Sequence, residues 1–460
     1  MTKRKAKLFG TDGIRGTANT YPMVPEVVVK VGQALGYLLR QMPMRKETDK
    51  KTVLIGKDTR LSGYMLEQSL ASGLNSMGIR VQLTGPLPTP GIGFVAQNMR
   101  ADAGVVISAS HNSFQDNGIK IFDHDGFKIS DEMEREIERL VLEEDLSVYL
   151  VPPEEVGRTR RIDDAPGRYI VFVKSAFPLS LNLSGMRIVL DCANGAAYSV
   201  APRIFEELGA EVIVMGVSPT GYNINDKCGA IYPEKVAAAV KKYRADVGIS
   251  LDGDADRVVL VDELGQILNG DHVLAILALH MKQKGELLKG TVVVTEMSNI
   301  GLDHALKKHG IQVVRAPVGD KNVVDVMRKQ QLILGGEQSG HIICLSHSTT
   351  GDGCVAALKV LAAMREQGKK LSELGALMKP VPQVLVNVRV KQKRPLHEIK
   401  GYQEFLESIQ KNIGPQGRVF IRPSGTEPVI RVLVEGPDRH MISRYADEMA
   451  QFLQDKLGDL

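Results

Sequence analysis

Three carboxylates stand at alternate positions in the run Asp252, Gly253, Asp254, Ala255, Asp256, Arg257, directly after an apolar segment that ends at Leu251. Alternate side chains of an extended turn face one centre, and hard cations take oxygen ligands, so this spacing suits a divalent metal. The run also matches the front half of a helix-loop-helix calcium loop, with Glu263 at its twelfth position. Arg257, however, fills the place where that loop needs glycine, and residues 258–261 read as a strand where the loop should stay open. Three acids fixed behind a buried strand are costly without a cation, which favours the metal reading over solvated surface charge. A second cluster, Ser108, Ala109, Ser110, His111 and Asn112, leads through Asp116, Asn117 and Gly118 to Lys120. A hydroxyl at a strand end suits a nucleophile or phosphoryl carrier, but taken alone the segment reads first as an ordinary turn.

Gly335, Gly336, Glu337, Gln338, Ser339, Gly340 and His341 put a carboxylate, a carboxamide, a hydroxyl and an imidazole on a backbone that glycine lets bend. Such groups accept and donate along defined directions, as sugar hydroxyls require; the plain alternative is a helix-capping loop. Arg422, Pro423, Ser424, Gly425, Thr426 and Glu427, with Arg431 beyond, combine guanidinium groups, hydroxyls and the amides of a glycine turn. That set makes a phosphate cradle, against the alternative of a turn with a charged rim. Arg15, and Lys57 with Arg60, are further cations suited to a second phosphate, each taken singly reading as a solvated surface residue. No G-x-x-x-x-G-K-[ST] occurs, and the G-x-G-x-x-A matches at Gly91 and Gly351 do not follow clean strands.

The elements that must position these loops are short apolar runs at 53–55, 104–107, 188–190, 212–215, 258–261, 292–294 and 311–314, separated by helix-like stretches. Continuous apolar runs alternating with helices indicate buried parallel strands, and ligands gather at the carboxyl ends of such strands. Proline-bearing segments at 151–164 and 378–383 read as boundaries, with a weaker one at 264–269. Beyond Pro382 the pattern becomes alternating strands and an amphipathic helix, a small α+β unit.

A chain of 460 residues exceeds the size of one core, so three or four domains are expected. With 58 basic and 54 acidic residues the net charge is only +4, and no tryptophan is present, which argues against a nucleic-acid or membrane surface. Cys192, Cys228, Cys344 and Cys354 are scattered, as in reduced thiols of the cytoplasm. No apolar run of spanning length or leader-like apolar segment follows the basic start, so a soluble, untargeted chain is expected.

Taken in order, ISASHN with NGIK, DGDADR, GEQSGH and RPSGTEP resemble the motifs of the α-D-phosphohexomutases from one end of the chain to the other. The resemblance implies an α/β fold of four domains around a central cleft, three mixed α/β and a smaller mobile α+β lid, here 1–155, 156–264, 265–379 and 380–460. It implies Ser110 as phosphoserine, Mg²⁺ held by Asp252, Asp254, Asp256 and the phosphate on Ser110, and Lys120 and His341 as proton-transfer candidates, with Arg257 and Arg15 beside them. Glu337, Gln338 and Ser339 would meet the sugar, and Arg422, Ser424, Gly425, Thr426 and Arg431 the phosphate. Gln338 stands where glucose and mannose phosphate mutases more often show Met, which implies interconversion of glucosamine 6-phosphate and glucosamine 1-phosphate, feeding UDP-N-acetylglucosamine synthesis if the source is bacterial. Glucosamine or glucose 1,6-bisphosphate would prime the cycle, a sugar phosphate would be the partner, and a homodimer stays open. Glucose or mannose phosphate as substrate, or a non-catalytic sugar-phosphate or metal-binding protein, are the rival readings. Two departures from the family pattern are Ser113, where Pro is common, and Lys321 in VGDKN, where Arg is usual; the first would loosen the serine loop and the second would alter a phosphate contact.

Overall fold

The computed structural model describes residues 7–10, 12–43, 50–390, 394–423 and 429–458. Its first sheet runs, in spatial order, Phe9–Gly10, Gly13–Thr17, Asp116–Phe122, Ala103–Ile107, Thr52–Lys57, Arg80–Pro86 and Thr159–Arg161. The centre is parallel, Thr52–Lys57 pairing with both Arg80–Pro86 and Ala103–Ile107. Val53 and Ile55 pack into the apolar layer that holds Leu35 and Leu70 of the helices Pro25–Gln41 and Ser62–Ser76, while Leu54 packs into the layer on the opposite face. Burial of both faces explains why these runs are apolar throughout. Thr159–Arg161 lies beyond residue 155 and still belongs to this sheet.

The second sheet runs Ile267–Leu268, Val258–Asp262, Val247–Leu251, Arg187–Asp191 and Glu211–Met215. The expectation of buried parallel strands fails here at two places. Val258–Asp262 pairs antiparallel with Val247–Leu251, because residues 252–257 are too few for the crossover that a parallel return requires. Glu211–Met215 pairs in parallel but forms the sheet edge and is only half-buried. The third sheet runs Gln312–Ala316, Thr291–Thr295, Leu334–Gly336 and Ile342–Cys344. The last is an antiparallel trio, Gln383–Arg389, Val429–Glu435 and Arg418–Pro423, packed against Arg439–Leu457 and Tyr402–Ile413.

One apolar core passes from Leu54 through Tyr169, Leu190 and Leu260 to Leu361 and Met378, binding the three mixed α/β units together. The helix Gly353–Gln367 is buried along most of its length in this core. Its start is fixed by Asp352, whose side chain accepts from the amides of Cys354 and Val355 at 3.0 Å, and Gly368, with φ +61°, ends it. The antiparallel unit has its own core around Val432, Ile442 and Met449. A joint between separately packed bodies is where relative motion is expected. The four cysteines are buried and free, and among the described residues no helix is long and apolar enough to cross a membrane.

Candidate active site

The loops that leave Ala103–Ile107, Val247–Leu251 and Leu334–Gly336 at their carboxyl ends meet. Ser110 Oγ donates to Asp252 Oδ2 at 2.7 Å, both residues buried. Backbone approach this close needs glycine: a Cβ on Gly253 would lie 2.6 Å from the Ser110 carbonyl oxygen. From the other side, Gly340 (φ +95°) accepts from the Val258 amide at 3.0 Å, setting the third loop against the exit of the second.

Ser110 itself has φ +52°, a left-handed conformation that costs a non-glycine residue about 1–2 kcal/mol. The conformation is held by Arg60, which is fully buried. Its Nη2 donates to the carbonyls of Ser110 and Asn112, both at 2.8 Å, and Nη1 to those of Asp116, at 3.0 Å, and Ser113. Asp58 pairs with Arg60 Nε at 2.7 Å and accepts from Ser108 Oγ at 2.6 Å, and Asn225 Nδ2 adds a bond to the Ser110 carbonyl at 2.9 Å. Arg60 is thus neither a solvated surface cation nor free to meet a phosphate. Lys57, likewise read as exposed, is buried, paired with Glu67 and set over the Tyr64 ring. With Arg60 gripping the Ser113 carbonyl, the loop does not depend on proline at that position.

One carboxylate oxygen from each of Asp252, Asp254 and Asp256 lies within 4.8 Å of the other two, and all three residues are buried. Burial, then Asp256 and Asp254, push Asp252 well above the usual carboxylate range. For Asp256 burial works the same way but is outweighed by the Lys120 ammonium and His341, which hold it low. Asp254 Oδ1 and Asp256 Oδ1 have no hydrogen-bond partner among the described residues. Crowded, buried carboxylate oxygens without donors fit a hard divalent cation.

Lys120 Nζ lies 2.9 Å from Asp254 and 3.2 Å from Asp256; burial opposes its charge, but Asp12 and these two acids raise its pKa well above the ordinary value. His341 is buried behind Asp256, its Nδ1 at 3.6 Å from that carboxylate. Burial favours the neutral ring while Asp256 and Asp320 favour the cation and shift the pKa upward. Yet Nε2 accepts the Gly351 amide at 3.0 Å, and a nitrogen that accepts carries no proton, so the geometry fixes the neutral ring protonated at Nδ1. Asp12 joins Lys120, Lys128 and Arg15, and Lys128 continues to Asp320 at 2.6 Å.

Around the serine, Arg15 Nη1 donates to the Ala109 carbonyl at 3.3 Å, and Arg257 Nη1 lies 3.1 Å from His111 Nδ1, itself 3.4 Å from Ser110 Oγ. Burial, Arg257 and Arg15 lower the pKa of His111 to about 4, leaving it neutral. Glu337 accepts the Gly319 amide at 3.2 Å and Ser339 Oγ at 3.5 Å, and the Gln338 carbonyl accepts from Gly270 at 3.0 Å. Arg422 and Arg431 face each other across paired strands of the last sheet. Burial and Arg431 lower the pKa of Arg422, while Glu296 and Glu337 act in the opposite sense. Two guanidiniums directly opposed on a sheet repel, and an anion between them relieves it. Ser424, Gly425 and Thr426 lie outside the described residues. Lys321 is paired with Asp131 and Glu134 of the helix Asp131–Glu143 and bridges two units, so it is not a free cation awaiting a phosphate.

Sequence reasoning passed over Asp12, Lys128, Asp320 and Asn225, whose partners lie far off in the chain. The only signal was local: Asp12 stands in the GTDG segment beside Arg15, and Asp320 precedes Lys321.

Family profiles described as phosphoglucomutase/phosphomannomutase alpha/beta/alpha domains I, II and III and C-terminal domain match residues 6–147, 167–265, 269–381 and 385–452. The chain is 63% identical over 456 residues, 99% of this chain and 100% of the relative, to a phosphoglucosamine mutase of Bdellovibrio bacteriovorus. It is 54% identical to that of Geotalea daltonii, with 98% of each chain covered. Among solved structures, a phosphoglucomutase/phosphomannomutase family protein of Burkholderia thailandensis shares the fold with a TM-score of 0.80 at 22% identity, covering 98% of this chain and 97% of that one. With all four family domains matched in order along a chain whose loops converge on one buried serine and one acidic cage, the protein belongs to the phosphoglucomutase/phosphomannomutase family, the α-D-phosphohexomutases.

Proposed function

We propose that this chain interconverts glucosamine 6-phosphate and glucosamine 1-phosphate through a phosphorylated Ser110 and a bound glucosamine 1,6-bisphosphate. The observation that carries the reading is the Ser110 hydroxyl seated 2.7 Å from one carboxylate of a buried three-carboxylate cage. Pure binding of a sugar phosphate needs no buried serine in a strained conformation there. The name of the relatives at 63% and 54% identity supports the amino sugar as substrate.

Asp252, Asp254 and Asp256 would hold Mg²⁺, which when bound neutralises charge on the transferring phosphoryl group. The chain's own residues do the rest. Arg60 and Asn225 fix the serine loop, while Arg15 and Arg257 flank Ser110 with positive charge. Phosphoryl transfer breaks the bond to the serine oxygen, which takes a proton from Lys120, and makes one to a sugar oxygen, whose hydroxyl proton passes back to the neutral Lys120 amine. Lys120, held charged, is the proton donor in this reading, and His341 acts through Asp256 as a positioning residue. Glu337, Gln338 and Ser339 read the sugar. Arg422 and Arg431, with Ser424, Gly425 and Thr426, grip the phosphate that is not reacting, as positioning chemistry requires. Glucosamine or glucose 1,6-bisphosphate primes Ser110, and the product would feed UDP-N-acetylglucosamine synthesis in the cytoplasm.

Intact-protein mass spectrometry after incubation with glucosamine 1,6-bisphosphate and Mg²⁺ should show one added phosphoryl group, absent in Ser110→Ala. Assays with glucosamine, glucose and mannose phosphates should give the highest kcat/KM for glucosamine. A Ser110→Ala variant with undiminished turnover, or a preference for glucose phosphate, overturns the reading.

A further inference from the structure

A cavity of about 850 Å³ opens behind the joint between the third unit and the last, lined by none of the residues of the serine loop or its cage. Its walls are the helix Ile300–Lys307, the hinge residues Pro380, Val381 and Pro382, and, on the far side of the hinge, Gln416 and Pro437. An occupant that fills it therefore touches both bodies at once.

The charge of this cavity is one-sided. His304, Lys307, Lys308 and Lys379 line it, and among the described residues no carboxylate does. No side chain of the four has a hydrogen bond or ion pair to a described residue, whereas the side chains of Lys282, Lys284 and Lys289 in the same unit are all engaged. A helix C-terminus attracts cations, which accounts for His304 and Lys307 in the last turn. It does not account for Lys379, which stands on the hinge. Uncompensated like charge around a concave surface repels itself and draws a polyanion. Pro380, Pro382 and Pro437 add apolar surface, and the volume falls within the ~300–1,000 Å³ of small-molecule sites.

Behind the cavity wall lies the joint's latch. Asn299 accepts the Val381 amide at 2.9 Å and donates to the Val381 carbonyl at 2.9 Å and to Gln383 Oε1 at 3.1 Å. The Ile300 amide donates to Glu435 Oε1 at 3.3 Å, and Arg418 Nη2 donates to the Ser298 carbonyl at 2.7 Å. Gly301 and Val381, which line the cavity, are bonded to Asn299 as well. We propose that this cavity is an effector site for a nucleoside diphosphate, its diphosphate among the three lysines and its base against the prolines, and that occupation locks the hinge.

The test is calorimetric titration of the full chain with ADP, and separately with inorganic pyrophosphate, in buffer containing a chelator so that no metal brings the nucleotide to the carboxylate cage. Wild type should bind ADP, and pyrophosphate more weakly. The triple variant Lys307→Ala/Lys308→Ala/Lys379→Ala should bind ADP at least about tenfold more weakly. Arg422→Ala, a lesion of the proposed substrate cradle, should leave ADP affinity unchanged, so that this inference and the proposed reaction stand or fall separately. Bound ADP should also slow amide hydrogen exchange at Val381 and Gln383 in wild type but not in the triple variant. The proposal is overturned if ADP does not bind, if Arg422→Ala abolishes binding, if the triple variant binds as wild type, if hinge exchange is unaffected, or if an acidic peptide binds where ADP does not.

Discussion

The reading of Arg60 as the clamp of the serine loop is open to a direct test, because Arg60→Lys keeps the charge and removes the fork. The guanidinium reaches four carbonyls and Asp58 from one buried position. A lysine ammonium is a single point and cannot serve carbonyls spread from Ser110 to Asp116. Hydrogen bonds to a charged group are worth about 1.5–3 kcal/mol each, so two lost bonds cost ~3–6 kcal/mol. The left-handed Ser110 stores about 1–2 kcal/mol, so losing even one of the bonds that hold it is enough for relaxation. Relaxation takes Ser110 Oγ away from Asp252. We expect kcat to fall at least tenfold, the equivalent of about 1.4 kcal/mol, while the KM for glucosamine 6-phosphate changes little, since the bonds of the Arg60 side chain all go to Asp58 and the serine loop and none to Glu337, Ser339 or Arg422. Steady-state kinetics and thermal melting on the same preparation measure both consequences. A variant that melts lower yet keeps wild-type kcat would show that Arg60 stabilises the fold without placing the serine, and would refute the argument.

Three further outcomes follow from particular contacts. Gly253→Ala introduces a Cβ 2.6 Å from the Ser110 carbonyl and 2.7 Å from Asn225 Nδ2, so it should part the two loops and weaken Mg²⁺ activation, measured by metal titration of turnover. Arg422→Ala should weaken the 1-phosphate and the 6-phosphate by similar factors, on the order of 1.5–3 kcal/mol, because a guanidinium reads charge and shape and not the carbon that bears the phosphate; strong discrimination between the two ends would contradict this. Burial pushes Asp271 up to about 6, so it binds its proton more tightly in the folded chain, and the stability this contributes is present below about pH 4 and lost as pH rises through about 6. Relative to wild type, Asp271→Asn should therefore melt progressively higher between pH 4 and pH 7, by up to ~3 kcal/mol, and a difference that is flat or reversed in differential scanning calorimetry would defeat the assignment.

What was legible in the sequence was what local pattern encodes. Apolar runs announced the strands because both sheet faces are buried, and alternate acids announced the cage because a turn sets them on one side. What was hidden depends on partners far along the chain. Arg60 reads as an exposed cation because nothing in GKDTR shows that four carbonyls some fifty residues later will surround it. Lys321 drew notice as a departure in a phosphate-binding position, yet its partners Asp131 and Glu134 lie in another unit, and only their approach reveals an interface residue. The antiparallel return of Val258–Asp262 was readable from loop length alone, since 252–257 cannot span a crossover, but apolar composition does not carry direction.

The arrangement behind the cage shows how loops from three units are held in one geometry. Lys120 reaches Asp12 at 3.4 Å, Asp12 reaches Lys128 at 2.5 Å, Lys128 reaches Asp320 at 2.6 Å, Asp320 and Asp256 each lie 3.6 Å from His341, and Asp256 returns to Lys120 at 3.2 Å. The ring closes through all three mixed α/β units. Desolvating so many charges offsets most of their attraction, so the ring is a poor source of stability, and apolar residues would fill the space as well. Direction is what apolar packing cannot supply. A carboxylate between Lys120 and His341 cannot rotate without losing a partner, so Asp256 is fixed relative to Asp252 by groups anchored in two other units. Removing Lys128 would leave the half-buried Asp12 and Asp320 without their shared cation, and that penalty, not any gain in net stability, is what keeps the three loops in register.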